Sequence, residues 1–259
     1  MSIDPLDRFS KRADYYAKYR PKYASETLAT LQTACGLTPD MVIADVGSGT
    51  GNLAEILLRN GNHVFGIEPN TDMRTTAEAL LAEFIANKTF TSLTGTAEAT
   101  TLPASSMDMI TAGQAFDWFD PEPTKTEFRR ILKKPDGWIV LVRNRWLRNT
   151  NDANRAYGGI VRKHTLPYPP APEPNLVAFF GGGYTAREFD NTRLETLDCI
   201  TGGLLSASFA PIPDSPEHHA LAADLKTWFE RYQQEGHIRV EIKTEVLWGK
   251  LNQDADSRG

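Results

Sequence analysis

A run of glycines is the segment of this sequence with the clearest chemical meaning. Gly47, Gly49 and Gly51 occupy alternate positions in ADVGSGTGN, at the end of the short apolar stretch 41–47. Glycine has no Cβ atom, so such a loop can turn tightly and let a ligand approach its backbone. The helix expected after the loop would direct its N-terminal amides and positive dipole end at the same ligand. The pattern predicts a small-molecule binding loop, although an ordinary strand-to-helix turn would also contain glycines.

A single acidic residue closes the next apolar segment. Glu68 ends the stretch HVFGIEP (63–69), about 20 residues after the glycine loop, where nucleoside-binding folds place a carboxylate that binds ribose hydroxyls. Glu68 therefore indicates a ribose without specifying the cofactor. The dinucleotide fingerprint GxGxxG would require glycine where this sequence has Asn52. Asn52 argues against a nicotinamide-dependent dehydrogenase, which remains an alternative that a binding comparison can test.

The rest of the first half supplies the elements that would position these residues. From residue 22 onward, apolar segments alternate with segments of helical periodicity. We predict strands at 41–47, 63–69, 107–113 and 138–144, and helices at 24–35, 53–60, 71–86 and 121–133. This alternation implies a parallel sheet with helices on both faces, and right-handed crossovers restrict it to a doubly wound form. The predicted fold class is α/β with a doubly wound, mostly parallel, Rossmann-like sheet.

The regular alternation of predicted strands and helices ends after Asn144. Residues 145–164 are basic and of helical character, and the proline-rich stretch 167–175 cannot form regular structure. We predict that 145–190 is a helical cover inserted after the fifth strand. Two late strands (193–200 and 237–251), a helix between them (221–232) and a disordered tail (254–259) complete a single domain over residues 1–259.

Composition limits the class of protein. The chain has 259 residues, 41% of them hydrophobic, and a formal net charge of -5, which disfavours a nucleic-acid partner. Its two cysteines cannot form a disulfide framework or a multi-thiolate metal site. No stretch reaches the roughly 18 apolar residues of a membrane helix, and the N-terminus lacks a secretion signal. We expect a cytoplasmic protein with no membrane partner, either a monomer or a homodimer.

Five segments together resemble one enzyme family, the class I S-adenosylmethionine-dependent methyltransferases, and specifically their small-molecule type 11 group. DVGSGTG (45–51) is similar to the first motif of that family, and EPNTDM (68–73) to its ribose- and adenine-contacting segment. GTAE (95–98) resembles the loop after the third strand, and GQAFDWF (113–119) the stretch beyond the fourth. FSKRADYYAKYRP (9–21) resembles an N-terminal lid over the methionine part of the cofactor.

The resemblance covers most of 9–144 and 204–251, and it implies a reaction and a cofactor. It implies methyl transfer from S-adenosylmethionine to an O, N or C atom of a small-molecule acceptor, with the inserted segment 145–190 over the acceptor site. The residues that it implies against the cofactor are Tyr16, Arg20, Asp45, Gly47, Ser48, Gly49, Gly51, Glu68, Pro69, Met73, Ala97, Glu98, Gln114 and Ala115. Tyr16 and Arg20 would face the methionine part, with the Arg20 guanidinium on its carboxylate.

The candidate catalytic position departs from the pattern of the family. Asp117 stands where relatives often have His. If that His deprotonates the acceptor in relatives, either the Asp117 carboxylate does so here or no side chain does. An ordinary Asp is ionised at neutral pH and is a weak base, and methyl transfer can rely on positioning alone. Asp117 is therefore equally consistent with a helix cap or a surface acid, and a protein that binds the cofactor without catalysis remains an alternative.

The sequence also contains candidate residues for an acceptor site and for a metal site. Four aromatic residues flank the expected carboxyl ends of the strands and favour an apolar or aromatic acceptor: Phe116, Trp118, Trp146 and Tyr157. Glu217, His218 and His219 lack the spacing of a known metal site, because consecutive side chains on a helix diverge. We expect no metal.

Overall fold

The computed structural model describes residues 12–165, 176–212 and 214–251. Its strands are β1 (Val42–Val46), β2 (His63–Ile67), β3 (Phe90–Leu93), β4 (Met109–Gly113), β5 (Trp138–Trp146), β6 (Tyr184–Asp190), β7 (Arg193–Glu195), β8 (Ile238–Val240) and β9 (Ile242–Gly249). Seven of them form one sheet in the order β3-β2-β1-β4-β5-β9-β6, and β7 pairs with β8 separately. Strands β1 to β5 run parallel, whereas β9 is antiparallel to both β5 and β6. The predicted α/β fold class is confirmed.

Helices cover both faces of this sheet. They are α1 (Ala13–Tyr19), α2 (Glu26–Cys35), α3 (Asn52–Arg59), α4 (Thr71–Leu80), α5 (Ala82–Ala86), α6 (Pro121–Ile131), α7 (Asp152–His164), α8 (Leu176–Phe180), α9 (Leu197–Leu205) and α10 (Pro216–Tyr232), with a 3-10 turn at Phe116–Trp118. None of the described helices combines the length and apolarity needed to cross a membrane.

The core explains why the strands are almost continuously apolar. In β1, Ala44 and Val46 pack into a cluster with α6 and α8, whereas Ile43 packs on the opposite face with α2 and α3. A strand buried on both faces has no solvent side that would favour alternating polar residues. The exception in β1 is Asp45, which is fully buried. A third cluster joins α7, α9 and α10 with strand β8 and the first residue of β9.

Several predicted elements differ in the second half of the chain. The inserted cover was predicted over 145–190, but residues 145–146 continue β5 and 184–190 form β6 at the sheet edge. The strand predicted at 193–200 is wrong beyond residue 195. There the Thr196 side chain accepts the backbone N–H of Cys199 at 3.3 Å and so caps α9.

Other boundaries shift by smaller amounts. The helix predicted over 71–86 is interrupted at Leu81, and the strand predicted over 237–251 is divided into β8 and β9. Strand β3, for which the apolar pattern gave no prediction, completes the parallel sheet. The predicted irregular stretch 167–175, the tail 254–259 and the first residues of the lid lie outside the described residues.

Candidate active site

A cleft that is partly open to solvent lies at the carboxyl ends of the parallel strands. Its lining residues are Tyr16, Gly47, Gly49, Glu68, Pro69, Asn70, Met73, Thr96, Ala97, Glu98, Gly113, Gln114, Ala115, Trp118 and Phe119. They come from α1 and from the segments that follow β1, β2, β3 and β4. The strand order reverses between β1 and β4, since β2 and β3 lie on one side of this point and β4 and β5 on the other, and doubly wound sheets bind their ligands at such a point.

The glycine loop presents its backbone to this cleft. Gly47 and Gly49 have φ values of +67° and +55°, in the left-handed region that favours glycine. The N–H groups of Gly47 and Ser48 both donate to the carbonyl of Ile67, at 2.8 and 3.1 Å, which fixes the loop against the end of β2. A Cβ added at Gly49 would meet no atom within 4 Å, so the cleft leaves free space directly beside this backbone.

Gly51 has a different role in the same loop. It has φ +87°, and a Cβ there would lie 2.6 Å from Leu81. A side chain at Gly51 would therefore press on Leu81 at the start of α3, whereas the space beside Gly49 is available to a ligand.

Glu68 connects the ends of β1 and β2. Its Oε2 accepts the N–H of Gly49 at 3.0 Å, and its Oε1 accepts the N–H of Asn70 at 2.9 Å. Burial raises the pKa of this carboxyl, and the two backbone hydrogen bonds oppose that rise. A carboxylate has about four acceptor positions, so Glu68 can still accept two further hydrogen bonds from a ligand in the cleft.

Asn70 and Arg74 hold the segment after Glu68 in place. The Asn70 side chain accepts the N–H of Met73 at 3.0 Å and caps α4. Arg74 Nη1 donates to the carbonyls of Glu68 and Pro69, at 2.8 and 2.9 Å. These contacts fix the backbone on both sides of the Glu68 carboxylate.

Asp45 lies behind the glycine loop and does not line the cleft. Its Oδ1 accepts the Thr111 hydroxyl at 2.9 Å, and its carboxylate also accepts the N–H of Ala54 in the first turn of α3. Oδ2 is buried and has no hydrogen-bond partner among the described residues. Burial raises the pKa of Asp45 to about 7. The acid at the end of β1 thus supports the start of α3 from within the core.

Helix α1 closes one side of the cleft. Tyr16 lines it, and the Arg20 guanidinium lies 4.9 Å from the centre of the Tyr16 ring. The helix is anchored at its N-terminal end, where Arg12 donates to the carbonyls of Leu205 and Ala210 at 2.6 and 2.8 Å. The segment predicted to be a lid is therefore packed against α9 and the residues that follow it.

The opposite wall follows β3 and β4. Glu98 accepts the N–H of Asp120 at 2.9 Å, and Trp118 is 37% exposed at the mouth of the cleft. Gln114 has φ +59°, and its Nε2 donates to the carbonyl of Asn144 at 3.3 Å. Such a backbone conformation is uncommon for a residue with a side chain and is often found at functional sites. It places Gln114 at the boundary between the ends of β4 and β5.

Most of the residues predicted to contact the cofactor line the same cleft: Tyr16, Gly47, Gly49, Glu68, Pro69, Met73, Ala97, Glu98, Gln114 and Ala115. Four do not line it: Arg20, Asp45, Ser48 and Gly51. The cleft adds four residues that the sequence analysis omitted: Asn70, Thr96, Gly113 and Phe119. All four lie inside the motif segments 68–73, 95–98 and 113–119, so the motifs themselves contained the signal.

The residues predicted for catalysis and the acceptor are dispersed. Trp118 lines the cleft. Phe116 instead packs edge-on against Phe179 in the core, with ring centroids 4.6 Å apart. Asp117 is exposed and borders a smaller neighbouring cavity. Trp146 and Tyr157 stack on each other at 4.4 Å, outside the lining of the cleft. The roles assigned to all of these residues stay predictions.

One group of metal-ligating side chains occurs among the described residues, away from the cleft lining. Asp214, His218 and His219 have ligand atoms within 4.8 Å of one another at the start of α10. However, His218 Nδ1 accepts the backbone N–H of Asp214 at 2.9 Å, so that nitrogen already has a partner. We continue to expect no metal.

Known proteins with similar sequences are methyltransferases. Residues 44–141 match the family described as "Methyltransferase domain". An uncharacterized methyltransferase of Mycobacterium tuberculosis (strain H37Rv) is 31% identical over 168 residues, which cover 62% of this chain and 65% of that protein. An uncharacterized methyltransferase of Geobacillus sp. (strain WCH70) is 30% identical over 129 residues, which cover 47% of this chain and 55% of that protein.

Solved structures share the fold. The crystal structure of the YcgJ protein from Bacillus subtilis has a TM-score of 0.58 and 17% identity, and covers 89% of this chain and 100% of that one. A second similar structure is geranyl diphosphate C-methyltransferase from Streptomyces coelicolor A3(2), crystallised with Mg²⁺, geranyl diphosphate and S-adenosylhomocysteine. Its TM-score is 0.52 and its identity 11%, and the match covers 97% of this chain and 99% of that one.

Residues 44–141 carry a methyltransferase domain, and the sheet order, the cleft and the sequence matches support a class I S-adenosylmethionine-dependent methyltransferase. The family predicted from the motifs is confirmed. The chain spans 65% of the length of the first curated relatives that it matches, so the reaction of the whole protein and its acceptor are matters for proposal.

Proposed function

We propose that this protein transfers a methyl group from S-adenosylmethionine to an O, N or C atom of a small-molecule acceptor. The observation that carries the proposal is the Glu68 carboxylate, which two backbone N–H groups hold at the edge of the cleft beside the glycine loop. A fixed carboxylate with unused acceptor positions suits the two hydroxyls of a ribose.

The residues that line the cleft suit an adenosyl cofactor. Open space beside Gly49 lets a ligand approach the glycine backbone. Glu68 would accept both ribose hydroxyls, and Ala97 and Glu98 would contact the adenine. Tyr16 would cover the methionine part. The bound cofactor supplies an electrophilic methyl group on a sulfonium, and the protein's contribution is to orient the two reactants and exclude water.

The acceptor would enter next to the β4 end, where Trp118 lines the mouth of the cleft. Aromatic side chains in this region support an apolar or aromatic acceptor. Since the Asp117 carboxylate is exposed and borders another cavity, we propose that alignment of the acceptor atom, rather than a strong base, accounts for most of the rate. The net charge of -5 supports a small molecule over a nucleic acid. A cytoplasmic location and a monomeric or homodimeric state remain part of the proposal.

A second candidate is a protein that binds the cofactor without catalysis, which the exposed position of Asp117 favours. One experiment separates the two. The purified protein is incubated with S-adenosylmethionine and a panel of small metabolites, and release of S-adenosylhomocysteine is measured. Acceptor-dependent release that Glu68→Ala abolishes supports the enzyme. Tight binding of S-adenosylmethionine without release for any acceptor supports the binding protein.

A further inference from the structure

Helix α1 is anchored at both ends, and its second anchor lies near the carboxyl end of β5. At the start of the helix, Arg12 donates to carbonyls of α9 and of the segment that follows it. Beyond the last turn, Asn144 Nδ2 donates to the carbonyls of Pro21 and Lys22 at 2.9 and 3.3 Å. Tyr16, which lines the cofactor cleft, lies between these anchors. The position of Tyr16 at the cleft therefore depends on both of them.

Asn144 makes as many side-chain hydrogen bonds as an amide can. Its Nδ2 serves the two carbonyls after α1, and its Oδ1 accepts the Thr244 hydroxyl at 2.6 Å and Asn191 Nδ2 at 3.3 Å. A carboxamide offers two donors and two acceptor positions. Asn144 and Thr244 lie opposite each other on the antiparallel strands β5 and β9. This bonding pattern requires an amide at the position, because a carboxylate has no donor and an apolar side chain has neither group.

Thr244 extends these contacts to the start of α2. Thr244 is fully buried, and its Oγ1 accepts the Ala24 N–H at 3.0 Å and Asn191 Nδ2 at 3.0 Å. We call Asn144, Thr244 and Asn191 the connector cluster, because together they bind the backbone of residues 21–24 between α1 and α2. Connections between helices are ordinarily among the more mobile parts of a protein. Side chains from three separate parts of the chain hold this one in a single conformation.

Asn144 also contacts the wall of the cofactor cleft. Its backbone carbonyl accepts Gln114 Nε2 at 3.3 Å, and Gln114 lines the cleft just after β4. Gln114 has a φ of +59°, an uncommon conformation that persists only where surrounding contacts support it. Asn144 therefore joins two sides of the cleft, the α1 side through its side chain and the β4 side through its backbone.

We propose that Asn144 is a positioning residue for the cofactor: through the connector cluster it holds residues 21–24 so that Tyr16 covers the methionine part of S-adenosylmethionine. This inference rests on the proposed methyl transfer and names a residue that acts without touching the ligand. In the proposed binding mode the adenosyl part lies against Glu68, which backbone N–H groups after β1 and β2 hold in place. Loss of Asn144 should therefore weaken binding of the methionine part and leave binding of the adenosyl part unchanged.

The test compares two ligands by calorimetry, S-adenosylhomocysteine and 5′-methylthioadenosine, which lacks the amino-acid part. Asn144→Asp keeps the shape and the acceptor of the side chain, but it places an oxygen against two carbonyls. We expect its Kd for S-adenosylhomocysteine to rise at least about tenfold, and its Kd for 5′-methylthioadenosine to stay within about twofold. Hydrogen exchange across 13–21 should become faster in the ligand-free variant, because α1 loses its second anchor.

A second pair of variants addresses the same cluster with smaller changes. Thr244→Val removes the hydroxyl that bonds to Asn144 and Ala24, so it should show the same selective loss of S-adenosylhomocysteine. Thr244→Ser keeps that hydroxyl and should bind both ligands as the wild type does. If Asn144→Asp fails to fold, this pair decides, and equal affinity for S-adenosylhomocysteine in Thr244→Val and Thr244→Ser contradicts the inference.

Asn62→Asp is the matched control. Asn62 is fully buried, and its Nδ2 likewise donates to two carbonyls, those of Thr38 and Met41, at 2.8 and 3.0 Å. These carbonyls precede β1, at the opposite end of the strands from the cleft, so this variant should lose stability but bind both ligands normally.

Two results for a folded Asn144→Asp would overturn the inference. Unchanged affinity for S-adenosylhomocysteine would show that Asn144 does not position the cofactor. An equal loss of affinity for both ligands would show that its role is merely structural. Failure of the wild type to bind S-adenosylhomocysteine would instead contradict the proposed function.

Discussion

The carboxylate of Glu68 accepts the backbone N–H of Gly49 at 3.0 Å. This bond joins the acid at the end of β2 to the glycine loop after β1, so the two sequence motifs form one unit. The backbone that a nucleoside would approach and the acid that would bind its ribose are positioned by the same contact.

Replacing Glu68 with Gln should weaken cofactor binding more than it weakens the fold. A Gln side chain keeps the shape, but its NH₂ group would face a backbone donor, either Gly49 or Asn70. The ribose hydroxyls would also lose a charged acceptor, a loss of about 1.5–3 kcal/mol. We expect the Kd for S-adenosylhomocysteine, measured by calorimetry, to rise at least about tenfold. The control is Glu188→Gln on the exposed edge strand β6, which should bind normally. Equal affinity in both variants would exclude Glu68 from the site.

Two alanine substitutions in the glycine loop should have different effects. At Gly49 an added Cβ enters the open space of the cleft, whereas at Gly51 it meets Leu81 at 2.6 Å. Both positions have positive φ, so both variants carry a backbone strain of about 1 kcal/mol. We expect Gly49→Ala to lose most cofactor affinity with a small change in melting temperature, and Gly51→Ala to lose stability first. Normal binding by a folded Gly49→Ala would show that no ligand approaches this backbone.

Asp45 should make stability depend on pH. Burial raises its pKa to about 7, above the value of about 4 for an unfolded Asp, so the fold favours the neutral form. Its contribution to the free energy of unfolding is therefore greatest below about pH 4, falls as the pH rises to 7, and stays low above that. Urea unfolding of the wild type and Asp45→Asn at pH 5 and pH 8 measures this. The wild type should lose stability relative to the variant at pH 8. A constant difference would mean that Asp45 does not titrate in this range.

The docking of α1 can be tested with neighbouring glycines in α9. A Cβ at Gly202 would collide with the Tyr19 ring, whereas one at Gly203 would lie 3.6 Å from the Tyr19 carbonyl, an ordinary contact. Gly202→Ala should weaken docking by about 1–3 kcal/mol, and both variants gain similar helix propensity. We expect faster hydrogen exchange across 13–19 in Gly202→Ala only. S-adenosylhomocysteine should slow exchange across 13–21 in the wild type, and a lack of added protection there would show that this segment is no lid.

The sequence predicted the parts of the site that are contiguous in the chain. The loop Gly47–Gly51 and the acid Glu68 end apolar strands, so composition and spacing suffice to place them. The strand-to-helix change after Thr196 was missed because a side-chain cap overrides a weak apolar pattern. The edge strand β6 was missed because its pairing with β9 joins residues far apart in sequence. The stack of Trp146 on Tyr157 likewise joins two different elements, β5 and α7, so no local pattern could place it.

Equilibrium binding of S-adenosylhomocysteine and of NAD to the wild-type protein tests the central claim most directly. Both ligands carry a ribose that Glu68 could bind, but Asn52 stands where the dinucleotide fingerprint requires glycine. We predict one S-adenosylhomocysteine bound per chain with a micromolar or lower Kd, and NAD binding weaker by at least about a hundredfold. Equal or preferred binding of NAD, or no binding of S-adenosylhomocysteine, would contradict the account.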